Sequence, residues 1–273
     1  MPTTALALAL AAAFVHALWN VLLARAANVY AATAVALVTA EVVFAVPALL
    51  AWDVDRSAWP FIAASAALQL LYFALLITAY ARAPLSVVYP ISRGVAPVLV
   101  LVIGVALLGH ATSAGQVAGV CLVGAGVLLV RGLRPSVGRG VAFGLTIACV
   151  IATYTLVDKR GVSHAGALPY LELSMLAPAL LYVLVVGRIQ GAYALRSELR
   201  ASTFVAGIAT FGAYCLVLLA LQRAPAAPVA AVRETSVVVT ALLAARYLAE
   251  PVRWPRVAGA AAVAGGIALL SLT

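Results

Sequence analysis

The chain reads as an all-α polytopic membrane protein, with ten transmembrane helices arranged as two inverted five-helix repeats. Three observations predict this. The 273 residues are 66% hydrophobic and only 9% charged, with a mean hydropathy of +1.15, whereas a soluble domain carries about 25% charged residues. The apolar residues fall into ten runs, and a membrane span takes about 20 residues to cross about 30 Å of hydrocarbon. Landmarks of the first half also return in the second. Disorder is excluded, because it requires low hydrophobicity. Nucleic-acid binding is excluded despite a net charge of +9. The basic residues stand singly between apolar stretches, and phosphate tracking needs them clustered.

Breaks where charge, Pro and Gly gather give spans at 4–24, 29–51, 59–80, 84–108, 114–131, 140–158, 165–187, 202–222, 226–248 and 254–272. The runs are apolar all round, which favours helices over alternating barrel strands. The first run could pass for a signal peptide, but it lacks a positive start and continues through Leu23, so it is read as a span. It carries a polar face: His16 and Asn20 are i,i+4, with Trp19 between them.

The second span holds Glu41 and Pro47. The third offers Gln69, Tyr72 and Phe73. Along one side of the fourth lie Ser86, Tyr89, Pro90, Arg93 and Pro97, and two prolines predict a kinked helix. The sixth presents Ile151, Tyr154, Thr155 and Asp158. Glu172 and Pro178 lie in the seventh, Thr210, Phe211 and Tyr214 in the eighth, and Arg233 and Glu234 in the ninth. Trp52, Trp59 and Trp254 fall at span ends and read as interface anchors. Glycines crowd the fifth span (Gly115, Gly119, Gly124, Gly126) and the tenth (Gly259, Gly265, Gly266), where they permit close helix packing or an oligomer contact. Cys121, Cys149 and Cys215 have no metal spacing and read as small buried hydrophobes.

The halves align by several landmarks. Phe14–Arg25 lies over Cys149–Arg160 at an offset of 135. Arg82-Ala83-Pro84 returns as Arg223-Ala224-Pro225, Val117-Ala118-Gly119 as Val257-Ala258-Gly259, and Arg93 as Arg233. Glu41 and Pro47 return as Glu172 and Pro178, both at 131. The polar stretch Arg131–Arg139 divides the copies. This gives a first repeat over 1–132, a linker over 133–139 and a second repeat over 140–273. Five spans per copy is odd, so the two copies enter the membrane from opposite sides, a common construction in secondary transporters.

The residues His16-Ala17-Leu18-Trp19-Asn20, Tyr80–Pro84, Gln222–Pro225, Leu248-Ala249-Glu250-Pro251 and Arg256-Val257-Ala258-Gly259 resemble the EamA branch of the drug/metabolite transporter superfamily. In Leu108-Gly109-His110, a histidine stands where that family usually has glutamate. The resemblance implies a secondary active transporter of the bacterial inner membrane. It further implies export of a small organic metabolite or toxic analogue, and cytoplasmic termini. The rival reading is a non-transporting accessory subunit of a lipid or polymer modification system.

Ionisable groups inside spans are expensive and mark function by default. Substrate binding or coupling is therefore expected at His16, Trp19, Asn20, Glu41, Tyr72, Tyr89, Arg93, Tyr154, Glu172, Tyr214 and Arg233. Both charge signs among them would suit an amino-acid-like solute, and the buried carboxylates would suit proton antiport. Arg93 and Arg233 are the expected partners of Glu41 and Glu172, either in bracing ion pairs or near coupling sites. Arg233 and Glu234 are adjacent, so on one helix they point about 100° apart. No nucleotide loop, HExxH or GxSxG motif is present; neither a cofactor nor an enzyme is expected, and energy would come from a gradient. Loops after odd spans carry 11 basic residues and those after even spans 4. The positive-inside rule places the odd loops in the cytoplasm, against the resemblance. Both arguments put the two termini on one side.

Overall fold

The computed structural model describes residues 1–83, 85–106, 109, 111–131, 138–240 and 254–272. Its helices are α1 (Thr3–Ala24), α2 (Val29–Leu50), α3 (Trp59–Arg82), α4 (Leu85–Ala106), α5 (Ala114–Arg131), α6 (Gly138–Gly161), α7 (Ala167–Ser197), α8 (Ala201–Arg223), α9 (Ala226–Arg233) and α10 (Trp254–Leu272). A short 3-10 turn over Arg56–Ala58 leads into α3. Among the described residues, seven helices are long and apolar enough to cross a membrane, and Ala114–Val130 and Val257–Leu272 are shorter apolar helices. The ninth predicted span is helical over α9 and again over 235–240; its remainder lies outside the described residues. So do Pro84, Leu108, His110 and the Leu248–Pro251 segment.

Helix ends follow local chemistry. The Asn28 side chain caps α2, accepting from the Ala31 amide at 3.1 Å, which satisfies one otherwise orphaned N–H. Pro60 sits in the first turn of α3 and Arg82 in its last, each where the helix tolerates or favours it. Lys159 and Arg160 close α6. At Gly191 of α7, φ is 81° and ψ is 162°, a backbone that glycine adopts at no steric cost. The long straight part of α7 therefore stops at Gln190, and residues 192–197 form a separate final turn.

The faces are sorted by size. Ala5, Ala9 and Ala12 on α1, and Ala31, Ala34 and Ala40 on α2, are buried, while Val42, Val46, Leu49 and Leu50 on α2 and Leu180 and Leu184 on α7 are exposed. Small residues let backbones approach inside, and branched ones meet lipid outside. The same logic corrects the reading of the cysteines. Cys121 and Cys149 are exposed and Cys215 half-buried, because apolar side chains need no protein cover in hydrocarbon.

Packing is mostly between the repeats. α1 packs on α8 as α6 does on α3; α2 packs on α8 as α7 does on α3; α1 packs on α9 as α6 does on α4. Three pairs join equivalent helices: α2 with α7, α4 with α9, and α5 with α10. In the last pair the glycines interlock. A Cβ on Gly126 would stand 2.7 Å from the Gly259 carbonyl oxygen, and one on Gly259 2.6 Å from that of Gly126; Gly119 and Gly266 show the same reciprocity. Gly119, Gly126, Gly259 and Gly266 thus serve a contact within the chain. Gly124 instead faces Gly94 of α4.

Both chain ends meet. The Met1 amine donates to the Leu270 carbonyl at 3.3 Å. At that same end, the α2–α3 and α6–α7 loops are clasped. The Gly166 amide donates to the Asp53 carbonyl at 2.7 Å and the Asp55 amide to the His164 carbonyl at 3.0 Å, flanking an isolated bridge between Val54 and Ala165. The rings of Phe61 and His164 stack beside it, 5.8 Å apart.

Candidate functional site

A cavity of about 1020 Å³ lies between the repeats. It reaches Leu23, Ala24, Val29 and Tyr30, where α1 passes to α2, at the end opposite the clasp. Toward the clasp the bundle closes on buried Tyr170, Leu218 and Leu221.

Nine of the eleven predicted site residues line this cavity: His16, Trp19, Asn20, Tyr72, Tyr89, Arg93, Tyr154, Tyr214 and Arg233. The predicted faces of α3 (Gln69, Tyr72, Phe73) and α8 (Thr210, Phe211, Tyr214) line it as well, as does Pro90. Helical spacing explains this convergence, since each set recurs at three or four residues and so shares one side of its helix.

The α1 face is internally bonded. The Trp19 indole N–H donates to His16 Nδ1 at 3.2 Å, and the Asn20 amide donates to the His16 carbonyl at 2.8 Å. Accepting at Nδ1 leaves His16 Nε2 to carry the ring hydrogen. Opposite, edge-to-face rings run from Phe73 to Tyr72 (5.5 Å), on to Tyr154 (6.2 Å) and to Tyr214 (6.3 Å). Such pairs form a firm apolar wall with hydroxyl tips.

Arg93 and Arg233 meet at the α4–α9 contact, and both turn to Glu234. Arg233 donates through Nε and Nη2 to Glu234 Oε1 at 3.4 and 3.3 Å. Arg93 Nη1 lies 3.7 Å from the same oxygen, with its guanidinium 5.6 Å from the Tyr89 ring centre. The expected pairing of these arginines with Glu41 and Glu172 does not occur. Arg233 and Glu234 do share a site, at a one-residue tightened turn between Arg233 and Thr235.

Glu41 and Glu172 lie outside the cavity lining, at the α2–α7 contact. Their carboxyl groups face each other. Both Glu41 oxygens and Glu172 Oε2 are buried without a hydrogen-bond partner. Neighbouring Val42, Val43 and Leu176 are exposed, so the pair sits near the lipid side of the bundle.

Asp158 was read from sequence only as part of a polar face, yet it is fully buried. It accepts from the Tyr170 hydroxyl at 2.8 Å and from the Tyr214 hydroxyl. Tyr214 thereby links the cavity to a carboxylate behind its wall. The available signal was an acid four residues after Tyr154 on the inward face.

A family model for the EamA-like transporter family matches the chain twice, over residues 3–132 and 138–272. The chain belongs to the EamA-like transporter family. It is therefore a multi-pass membrane protein built of two inverted repeats, from a family of membrane transporters. No curated protein matches the chain. A solved structure, described only as the crystal structure of a protein, superposes with a TM-score of 0.76 over 99% of this chain and 96% of its own, at 17% identity. At that identity the likeness concerns the fold of this EamA-like transporter alone.

Proposed function

We propose that the protein is a secondary active transporter of the bacterial inner membrane that exports a small organic solute through the cavity between its repeats. The observation that carries this reading is the lining. Residues from both repeats, Trp19, Tyr72 and Arg93 from one and Tyr154, Tyr214 and Arg233 from the other, surround one space of about 1020 Å³. Solute sites at the repeat interface, reached from alternate sides by rocking of one repeat on the other, are the working arrangement of inverted-repeat carriers.

Proton antiport is assigned to Glu41 and Glu172. Two carboxyl groups in contact, without a cation between them, repel if both are charged, and a shared proton relieves this. Their place at the α2–α7 contact, between repeats that would move against each other, would couple the proton to the motion.

Purified protein in liposomes tests the reading. A broad panel of amino acids, amines, carboxylates and nucleosides is offered under an imposed pH gradient. Saturable flux of at least one member, driven by the gradient, is expected. Absence of flux and of binding across the panel would remove it.

A further inference from the structure

The transport reading leaves the chemical class of the solute open, and the charges of the cavity narrow it. The described lining holds Arg93, Arg233 and His16 but neither Asp nor Glu. Both arginines are buried, at 8% and 4% exposure. Each guanidinium carries five N–H donors and no acceptor. Against those two guanidinium groups the described residues set one carboxylate, Glu234, whose Oε1 takes the contacts while its Oε2 is buried without a hydrogen-bond partner. Arg233 has the better share of it. Arg93 makes no hydrogen bond among the described residues; its ion-pair contact is the 3.7 Å approach to Glu234 and its other partner is the Tyr89 ring.

Among the described residues no other acid stands in the lining. Asp158 lies behind the wall and is held by two phenols. Glu41 and Glu172 face each other at α2–α7. Glu198 accepts from the Asn28 amide at 2.9 Å, at the junction of α2 with the end of α7. Among the described residues the cavity therefore offers two guanidinium groups against one carboxylate, an aromatic wall and no second acid for an ammonium group. Burying a charge without a partner is costly, so an entering oxyanion gains where an entering amine does not.

We infer that the transported solute is an organic anion whose carboxylate, or an equivalent oxyanion, is held by Arg93 and Arg233 while its apolar or aromatic body lies against Trp19, Tyr72 and Tyr154. This rests on the transport reading. It departs from the amino-acid-like zwitterion expected from sequence, because both charge signs are present in the bundle but only one faces the solute. Arginine suits the role, since its planar fork meets a carboxylate with two parallel hydrogen bonds.

The test uses matched probes on wild-type protein. Aromatic and aliphatic monocarboxylates, each beside its own amide and its own amine, are compared for thermal stabilisation of the purified protein and for flux in liposomes. A carboxylate is expected to bind and be carried at least about tenfold better than its amide or amine, a gap within reach of one charge-assisted hydrogen-bond pair. Arg93→Gln should erase that preference. Arg93→Lys, which keeps the charge but loses the fork, should restore part of it and guards against a variant that fails to fold. If amides or amines are carried as well as the acids, the anion assignment falls while the transporter stands. If nothing in the wider panel is carried or bound, the transport reading itself falls and takes this one with it.

Discussion

Arg233 and Glu234 are consecutive residues that form an ion pair at 3.3 Å, with both side chains buried. Regular helix would point them about 100° apart. The long Arg233 side chain spans that angle at a one-residue turn, where Glu234 keeps right-handed helical φ/ψ but bonds i to i+3, its amide to the Ala231 carbonyl at 3.1 Å. Arg93, the equivalent residue of the first repeat, joins the same carboxylate from an unbroken α4.

Glu234→Gln is therefore expected to destabilise the protein by about 3–5 kcal/mol, the range for removing one partner of a buried pair. A second change, Arg93→Gln, should recover part of the loss by removing one uncompensated cation. Thermal unfolding of the three proteins in detergent checks this. Equal Tm values would show that the carboxylate does not hold the arginines.

The α5–α10 seam predicts a sharp contrast among glycines. Gly126→Leu places carbon against backbone at 2.7 Å, where no side chain can yield, and overpacking of this kind costs about 1–3 kcal/mol or more. Gly212→Ala, inside α8, meets nothing within 4 Å and should hold or raise the Tm, since alanine is the better helix residue. Size-exclusion profiles and melting curves of both variants distinguish a seam from a loose surface.

On α1, cysteines placed at His16, Trp19 and Asn20 should react with a membrane-impermeant thiol reagent, in a background lacking Cys121, Cys149 and Cys215. Cysteines at Phe14 and Leu18, which are exposed toward lipid, should not. The reverse pattern would place the cavity on the wrong face of the helix.

The double variant Glu41→Gln, Glu172→Gln should keep or raise the Tm, because no cation loses a partner and buried unpaired oxygens give way to amides that can pair with each other. Gradient-driven flux should vanish while solute binding persists. Wild-type gradient dependence in this variant would remove the proton role.

The contact between Met1 and Leu270 predicts that reporters fused to the two termini act on the same side of the membrane. Activity on opposite faces would contradict an even number of crossings.

The helices were largely legible because each is a long apolar run in a chain with few charges. The residues of the cavity were legible because helical spacing gathers Trp19 with His16, and Tyr214 with Thr210. Partners were harder. Glu41 matches Glu172, and Arg93 matches Arg233, by offset alone, and opposite charges suggested pairing across the two sets. A pseudo-two-fold brings equivalent residues near its axis together, so Glu41 meets Glu172 and Arg93 approaches Arg233, while the α5–α10 glycines pair crosswise, Gly126 with Gly259 and Gly119 with Gly266. The symmetry itself held that information. The tightened turn at Glu234 was not legible, since no proline or glycine marks it. Asp158 was underweighted because it lies at the end of its run and has Leu23 as its counterpart.

The clasp between residues 53–55 and 164–166 lies at the end away from the cavity mouth, and the proposed transport cycle would part it to release solute there. Each backbone hydrogen bond has a net worth of about 0.5–1.5 kcal/mol, so the clasp acts as a light latch on a conformational equilibrium. The apparent affinity of any ligand scales with the fraction of protein already competent to bind it. Asp55→Pro or Gly166→Pro, each of which removes a donating backbone N–H of the clasp, should therefore retune how tightly a solute is held, although neither residue lines the cavity.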